Sequence, residues 1–278
     1  MGSRAIIGIH AGSLHRSSRR DPEVDRLLTR WIGCLSAAGA IPIVVPDLSY
    51  DEGLDELLDL LHGFVVAGER DACDACRDGS DGTCWEPMSE FRLVRAIARR
   101  QVPFVGIGLG FQLMNLALGG TIRPLDVDVR GQPFHAYPHN PRHPLEPKDG
   151  SLMQTICGAR PTTVNSSHRC AIDRLAKGLV ATAVSSDGVV EAFESLSEDW
   201  FVLGVQFQPD DSCDRHLSLG IFDMLVDEAM AHGEQASDYD QAGCLQSDLG
   251  LDDELAGGSV GDAPHDIAIG PFKKLRSQ

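Results

Sequence analysis

Long apolar runs are missing from this 278-residue chain. No stretch approaches the ~18 apolar residues that a membrane-spanning helix requires. The run Ala5 to Ile9 is far too short for the core of a secretory leader, so the sequence predicts a folded cytoplasmic protein. Basic charge is scarce, with 24 Lys+Arg against 41 Asp+Glu and a formal charge of -17. Such a surface repels phosphate backbones and anionic lipid heads, which argues against a general nucleic-acid or membrane-surface role. Cysteine is thin as well: eight residues scattered at 34, 73, 76, 84, 157, 170, 213 and 244 lack the density of a disulfide scaffold, and most are expected as reduced thiols. What the chain has is 42% apolar residues, enough for the core of one large α/β domain.

Short β-branched runs alternate with stretches of helical period, the pattern of a mostly parallel central sheet flanked by helices. Strands are predicted at Ala5 to Ile9, Ile41 to Val45, Phe64 to Val66, Phe104 to Ile107, Val180 to Val184, Val189 to Phe193 and Val202 to Val205. Helices are predicted from Val24 to Ala38, Leu54 to Leu61, Ser89 to Arg100, Leu109 to Leu118 and Leu217 to Ala231. Thr121 to Gly158, rich in Pro, His and Asp, reads as a long, partly extended crossover. Residues 1–233 form the predicted domain. From 234 to 278 the chain turns to Asp, Gly, Ser and Ala, with nine acidic and three basic residues, and is expected to be a disordered acidic tail with a candidate role in tethering a protein partner.

The stretch Phe104-Val-Gly-Ile-Gly-Leu-Gly-Phe-Gln-Leu-Met-Asn115 predicts a strand, a tight turn and a helix, with glycine at 106, 108 and 110. Such a turn lifts one residue above the sheet edge beside helix N-terminal amides, the geometry of a nucleophile elbow. A dinucleotide-binding reading is weaker, because the third glycine is missing at the required offset. A phosphate loop is weaker still, since no Lys-Ser or Lys-Thr pair follows.

Pro103 to Gly120 resembles the elbow of class I glutamine amidotransferase-like proteins, in particular the gamma-glutamyl-gamma-aminobutyrate hydrolase branch, peptidase family C26. Three further stretches agree in order and spacing: Val164-Asn-Ser-Ser-His-Arg169, Ser186-Asp-Gly-Val-Val-Glu-Ala-Phe193 and Leu203-Gly-Val-Gln-Phe-Gln-Pro-Asp210. The resemblance covers residues 4 to 230 and implies a flavodoxin-like α/β fold with the site at the C-terminal strand edge.

The family's chemistry needs a cysteine at the elbow, a histidine to take its proton and a carboxylate two residues further on. The matching positions hold Gly108, Gln208 and Asp210. Glycine has no nucleophilic atom, and a glutamine amide cannot relay a proton near neutral pH. The resemblance therefore implies a catalytically degenerate member, a non-hydrolytic ligand-binding or interaction module without a cofactor. Gly68, Leu109, Gln112, His168 and Glu191 are the candidate ligand-binding residues, and a small gamma-glutamyl or amino-acid compound is the candidate ligand.

Three alternatives stay open at this point. A relocated nucleophile, Cys170 or Cys213 with His168 as base, would leave an active gamma-glutamyl or glutamine amide hydrolase. A structural role would close the cleft with Phe207, Phe111 and Met114. Glu191 is equally an exposed strand residue. No metal site is expected: Cys73-x2-Cys76 with Cys84 begins a zinc pattern without a persuasive fourth ligand, and the prolines among His135, His139 and His143 forbid a helical metal face.

Overall fold

Continuous apolar runs need cover above and below, and parallel strands between helices supply it for the central ones. In the computed structural model, which describes residues 4–11, 22–46, 53–68, 71–72, 88–125, 135, 142–158, 160–209 and 213–247, these runs make half of a nine-stranded sheet. The strands are β1 (Ile6–Ala11), β2 (Ile41–Val44), β3 (Gly63–Gly68), β4 (Phe104–Gly108), β5 (Thr121–Pro124), β6 (Arg142–Pro147), β7 (Thr162–Asn165), β8 (Cys170–Arg174), β9 (Leu179–Val184), β10 (Val190–Ser195) and β11 (Val202–Val205). The helices are α1 (Pro22–Ala37), α2 (Leu54–Asp59), α3 (Ser89–Arg100), α4 (Leu109–Ala117), α5 (Leu152–Cys157) and α6 (Arg215–Ser247).

The large sheet runs β2-β1-β3-β4-β11-β10-β9-β6-β7, with β5 and β8 paired separately. From β2 to β11 the neighbours are parallel. From β11 to β7 they are antiparallel. The central strands β3, β4 and β11 are buried along their whole length. One apolar layer, with Trp31, Ile107, Leu203 and Phe222, lies under α1 and α6. The other, with Phe64, Ile97, Phe111 and Phe193, lies under α3 and α4.

Two expectations are corrected here. The predicted crossover contains β5, β6 and α5; its prolines obscure the strands, because Pro144 and Pro147 stand inside β6 and pair with Thr163 and Ala183. The last helix does not stop at Ala231 but runs to Ser247, into a stretch where Glu, Gln and Ala at 234–236 favour helix and no proline intervenes. Residues 248–278 of the predicted tail lie outside the described residues.

Candidate functional site at the β4–α4 turn

The chain reverses from β4 into α4 at Gly108, which takes φ 57 and ψ -106. Few residues other than glycine adopt that backbone at low cost. Gly110 serves the packing instead. A Cβ there would run into the Val66 carbonyl, so its bare Cα lets α4 sit against β3. The turn thus has the elbow shape, in register with Gly68 on the adjacent strand.

Over the turn the space is nearly closed. A Cβ on Gly108 would stand 2.5 Å from the Gly68 carbonyl oxygen and 2.9 Å from Gln208 Nε2. The Gln208 backbone is clamped by Asn165, whose Oδ1 accepts from Gln208 N (2.9 Å) and whose Nδ2 donates to Gln208 O (2.8 Å). Its side-chain Nε2 reaches the Gly68 carbonyl at 3.4 Å. A hollow of about 10 Å³ remains, walled by Gly68, Gly108, Asn165, His168, Phe207 and Gln208, room for about one water.

Beneath the turn, the Gln112 side chain is fully buried and engaged. Its Oε1 accepts from Ala72 N at 2.8 Å, and its Nε2 donates to Asp71 Oδ1 (2.6 Å) and Gln206 Oε1 (3.0 Å). Asp71 in turn accepts from Arg169 N at 2.6 Å. These bonds tie the segment after β3 to α4, β11 and the stretch before β8.

Beside the hollow, three imidazoles converge on one carboxylate. Glu191 is fully buried, and its Oε1 lies 3.4 Å from His143 Nε2, 3.5 Å from His168 Nε2 and 3.6 Å from His135 Nδ1. Burial alone pushes the Glu191 carboxyl up, but His143 and His168 outweigh it and hold the group at about 2. Burial lowers the His168 imidazole, yet the facing Glu191 carboxylate more than compensates and raises it.

The whole length from β1 to the end of the turn after β11 matches one family model. Residues 5–210 fit the Peptidase C26 model. The chain belongs to the peptidase C26 family. A Mycobacterium tuberculosis protein, Rv2859c, whose name marks it as a candidate glutamine amidotransferase, is 34% identical over 251 residues, covering 84% of this chain and 78% of that protein. The protein NtpR of Enterococcus hirae is 28% identical over 244 residues, covering 80% and 98%. Among solved structures, the glutaminase domain of Trypanosoma brucei CTP synthase, with bound acivicin, aligns at a TM-score of 0.59 and 17% identity over 81% of this chain and 93% of that one. A candidate GMP synthase component from Thermoplasma acidophilum aligns at 0.60 and 17%, covering 85% and 100%. The mixed sheet with flanking helices is therefore the glutamine amidotransferase fold.

Within this C26 member the expected ligand-binding residues fall into different settings. Gly68 and His168 wall the hollow over the turn, whereas Leu109 and Gln112 are buried in or beside the core. Glu191 is wholly inside, which corrects the reading of an exposed strand residue; both faces of β10 are covered there, with Ala192 in one apolar layer and Phe193 in the other. Phe207 does wall the hollow. Phe111 and Met114 instead belong to the layer under α3 and α4, Phe111 stacked on Phe193 with centroids 4.7 Å apart, so the closure expected of them is made by Gln208 and Gly68.

The cysteines also separate. Cys170 is disulfide-bonded, which corrects its reading as a reduced thiol, while Cys34, Cys157 and Cys213 are free. Cys213 is a buried thiol that donates to the Gln208 carbonyl at 3.2 Å and walls a different hollow, of about 370 Å³, together with Cys34 of α1. Asp210, His139, Cys73, Cys76 and Cys84 lie outside the described residues. Sequence reasoning did not join His135 and His143 to the Glu191 cluster. No sequence signal joins them, because both stand more than twenty residues before the motifs at 164–169 and 186–193.

Proposed function

We propose that this C26 protein is a non-hydrolytic member of its family, a binding or interaction module that uses the amidotransferase fold without its thiol chemistry. The observation that carries the reading is the turn itself: the elbow residue is Gly108, and the volume a cysteine side chain would need there is held by the Gly68 carbonyl and the Gln208 amide. Acyl transfer by this route requires a sulfur that attacks and an imidazole that shuttles its proton. Gln208 offers neither lone-pair basicity nor a titratable proton at the adjoining position.

The narrow hollow weighs between the two kinds of module. A gamma-glutamyl or amino-acid ligand must displace Gln208 before its carbonyl can approach the turn, so recognition of a partner protein is the better-supported role. The acidic segment beyond Ser247 is the candidate tether for such a partner. The relocated-nucleophile alternative is disfavoured, since Cys170 is held as a disulfide and Cys213 directs its proton to a backbone carbonyl.

Incubating the purified full-length chain with glutamine and with gamma-glutamyl amines, and measuring released glutamate, tests this directly. The expected release equals that of buffer alone. Turnover that disappears in Cys213→Ala, or on reduction and alkylation, would overturn the reading.

A further inference from the structure

We propose that His135, His143, His168 and Glu191 form a closed site for a divalent transition-metal ion, Zn²⁺ by donor chemistry, that fastens the crossover to the wall of the elbow hollow. The inference does not depend on whether the turn is catalytic.

The geometry of the unpaired atoms points to a cation. His143 Nε2, His168 Nε2 and both Glu191 oxygens are buried without a hydrogen-bond partner. A charge-assisted hydrogen bond between imidazole and carboxylate closes to about 2.7–2.9 Å, and the three contacts to Glu191 Oε1 are 3.4, 3.5 and 3.6 Å. Four donors held about 2.0–2.2 Å from Zn²⁺ in a tetrahedron stand about 3.3–3.6 Å from one another. The donor atoms of His135, His168 and Glu191 all lie within 4.8 Å of each other; His143 Nε2, on β6, lies 3.4 Å from the same Glu191 oxygen but outside that group of three, so a small shift of its ring is needed for it to join as the fourth donor.

The outer nitrogens of the three rings support the same reading. His168 Nδ1 faces the Cys170 carbonyl at 2.9 Å, His143 Nδ1 faces the Pro144 carbonyl at 3.0 Å, and His135 Nε2 faces Asp187 Oδ2 at 2.9 Å. Each of these oxygens accepts a proton, so each ring carries its proton on the outer nitrogen and turns a lone pair inward. Metal-binding histidines are oriented by this same kind of contact. Ser166 Oγ lies 3.0 Å from both His135 Nδ1 and the His135 carbonyl; its one hydrogen satisfies the Nδ1 lone pair in the metal-free protein and turns to the carbonyl when the ion takes that lone pair.

Charge and position agree. With neutral rings the cluster holds two negative charges, Glu191 and Asp187, which one divalent ion balances. Imidazole and carboxylate donors without sulfur suit Zn²⁺ and its neighbours rather than Ca²⁺ or Mg²⁺. With His143 as the fourth ligand no coordination position stays open, so the ion is structural.

Co²⁺ titration of the chelator-treated, tag-free full-length protein tests the site. One equivalent should produce the intense visible absorption of four-coordinate Co²⁺, displaced by Zn²⁺, without the near-ultraviolet sulfur-to-metal band that cysteine ligation would add. Glu191→Gln should abolish the signal. His143→Ala, at a partly exposed position, should weaken binding by about tenfold or more, and Asp187→Asn by about 10- to 100-fold. Unchanged thermal unfolding of the chelated variants shows that they fold. No stoichiometric uptake by the wild type, a sulfur band, or uptake unaltered in both Glu191→Gln and His143→Ala would each overturn the proposal. Because the readout is metal uptake, it stands or falls separately from the amide-hydrolysis assay.

Discussion

The Gly68 carbonyl oxygen stands where the first side-chain atom of residue 108 would be, 2.5 Å from an ideal Cβ. Gly108→Ala should therefore cost about 1–3 kcal/mol in urea unfolding, the range for a non-glycine residue forced into such backbone. Gly108→Cys should cost at least as much and gain no measurable glutaminase activity, because its sulfur has no imidazole at 208 to take its proton. A Gly108→Ala change within about 0.5 kcal/mol of wild type, the ordinary range for a neutral substitution, would mean that the Gly68 peptide shifts freely.

Gln112 spends its carboxamide on Ala72, Asp71 and Gln206. Removing it leaves the Asp71 carboxylate and the Ala72 N–H buried without this partner, each at about 1–3 kcal/mol. Gln112→Met keeps the length of the side chain, so its loss of stability should reflect the hydrogen bonds rather than a cavity. Equilibrium denaturation should detect a drop of at least about 1 kcal/mol. A neutral result would show that water replaces the amide.

Much of the parallel half was legible in the sequence, because the central strands are continuous apolar runs and two of the helices between them end at Gly39 and Gly119; the left-handed cap Gln101 after α3 carries no such signal. Gly106, Gly108 and Gly110 marked the turn for the same reason: close backbone approach leaves no room for a side chain. The antiparallel half was harder. In β6 the prolines break the strand pattern, and β7 and β8 are only four and five residues long. The Glu191 cluster was illegible because four separate segments assemble it. A charged residue in a strand reads as solvent-facing, but β10 is covered on both faces, with Ala192 in one apolar layer and Phe193 in the other, so Glu191 is inside.

Cys170 begins β8 within 2.9 Å of the His168 ring through its carbonyl and carries a disulfide. Peptide mapping after alkylation without reductant should leave Cys170 unmodified. Cys170→Ser should lower stability by about 2–4 kcal/mol, and a reductant should lower the wild type but not the variant. Full alkylation of Cys170 in the native, unreduced protein would contradict the bond.

His232, near the middle of α6, supplies a pH test away from the site. Burial and the neighbouring His62 both hold its imidazole below the usual value. The helix is packed tightly there, since a Cβ on Gly233 would meet His62 Cδ2 at 2.5 Å. A base whose folded pKa is depressed takes up its proton more readily in the unfolded chain. Its contribution to stability is therefore present above the ordinary imidazole value of about 6.5 and is lost as the pH falls through and below it. Melting temperatures of the wild type and His232→Asn, followed from about pH 8 to about pH 5 across the imidazole range, should converge or cross as the medium becomes acidic, with the wild type falling more steeply. Parallel curves would mean that His232 titrates alike in the folded and unfolded chain.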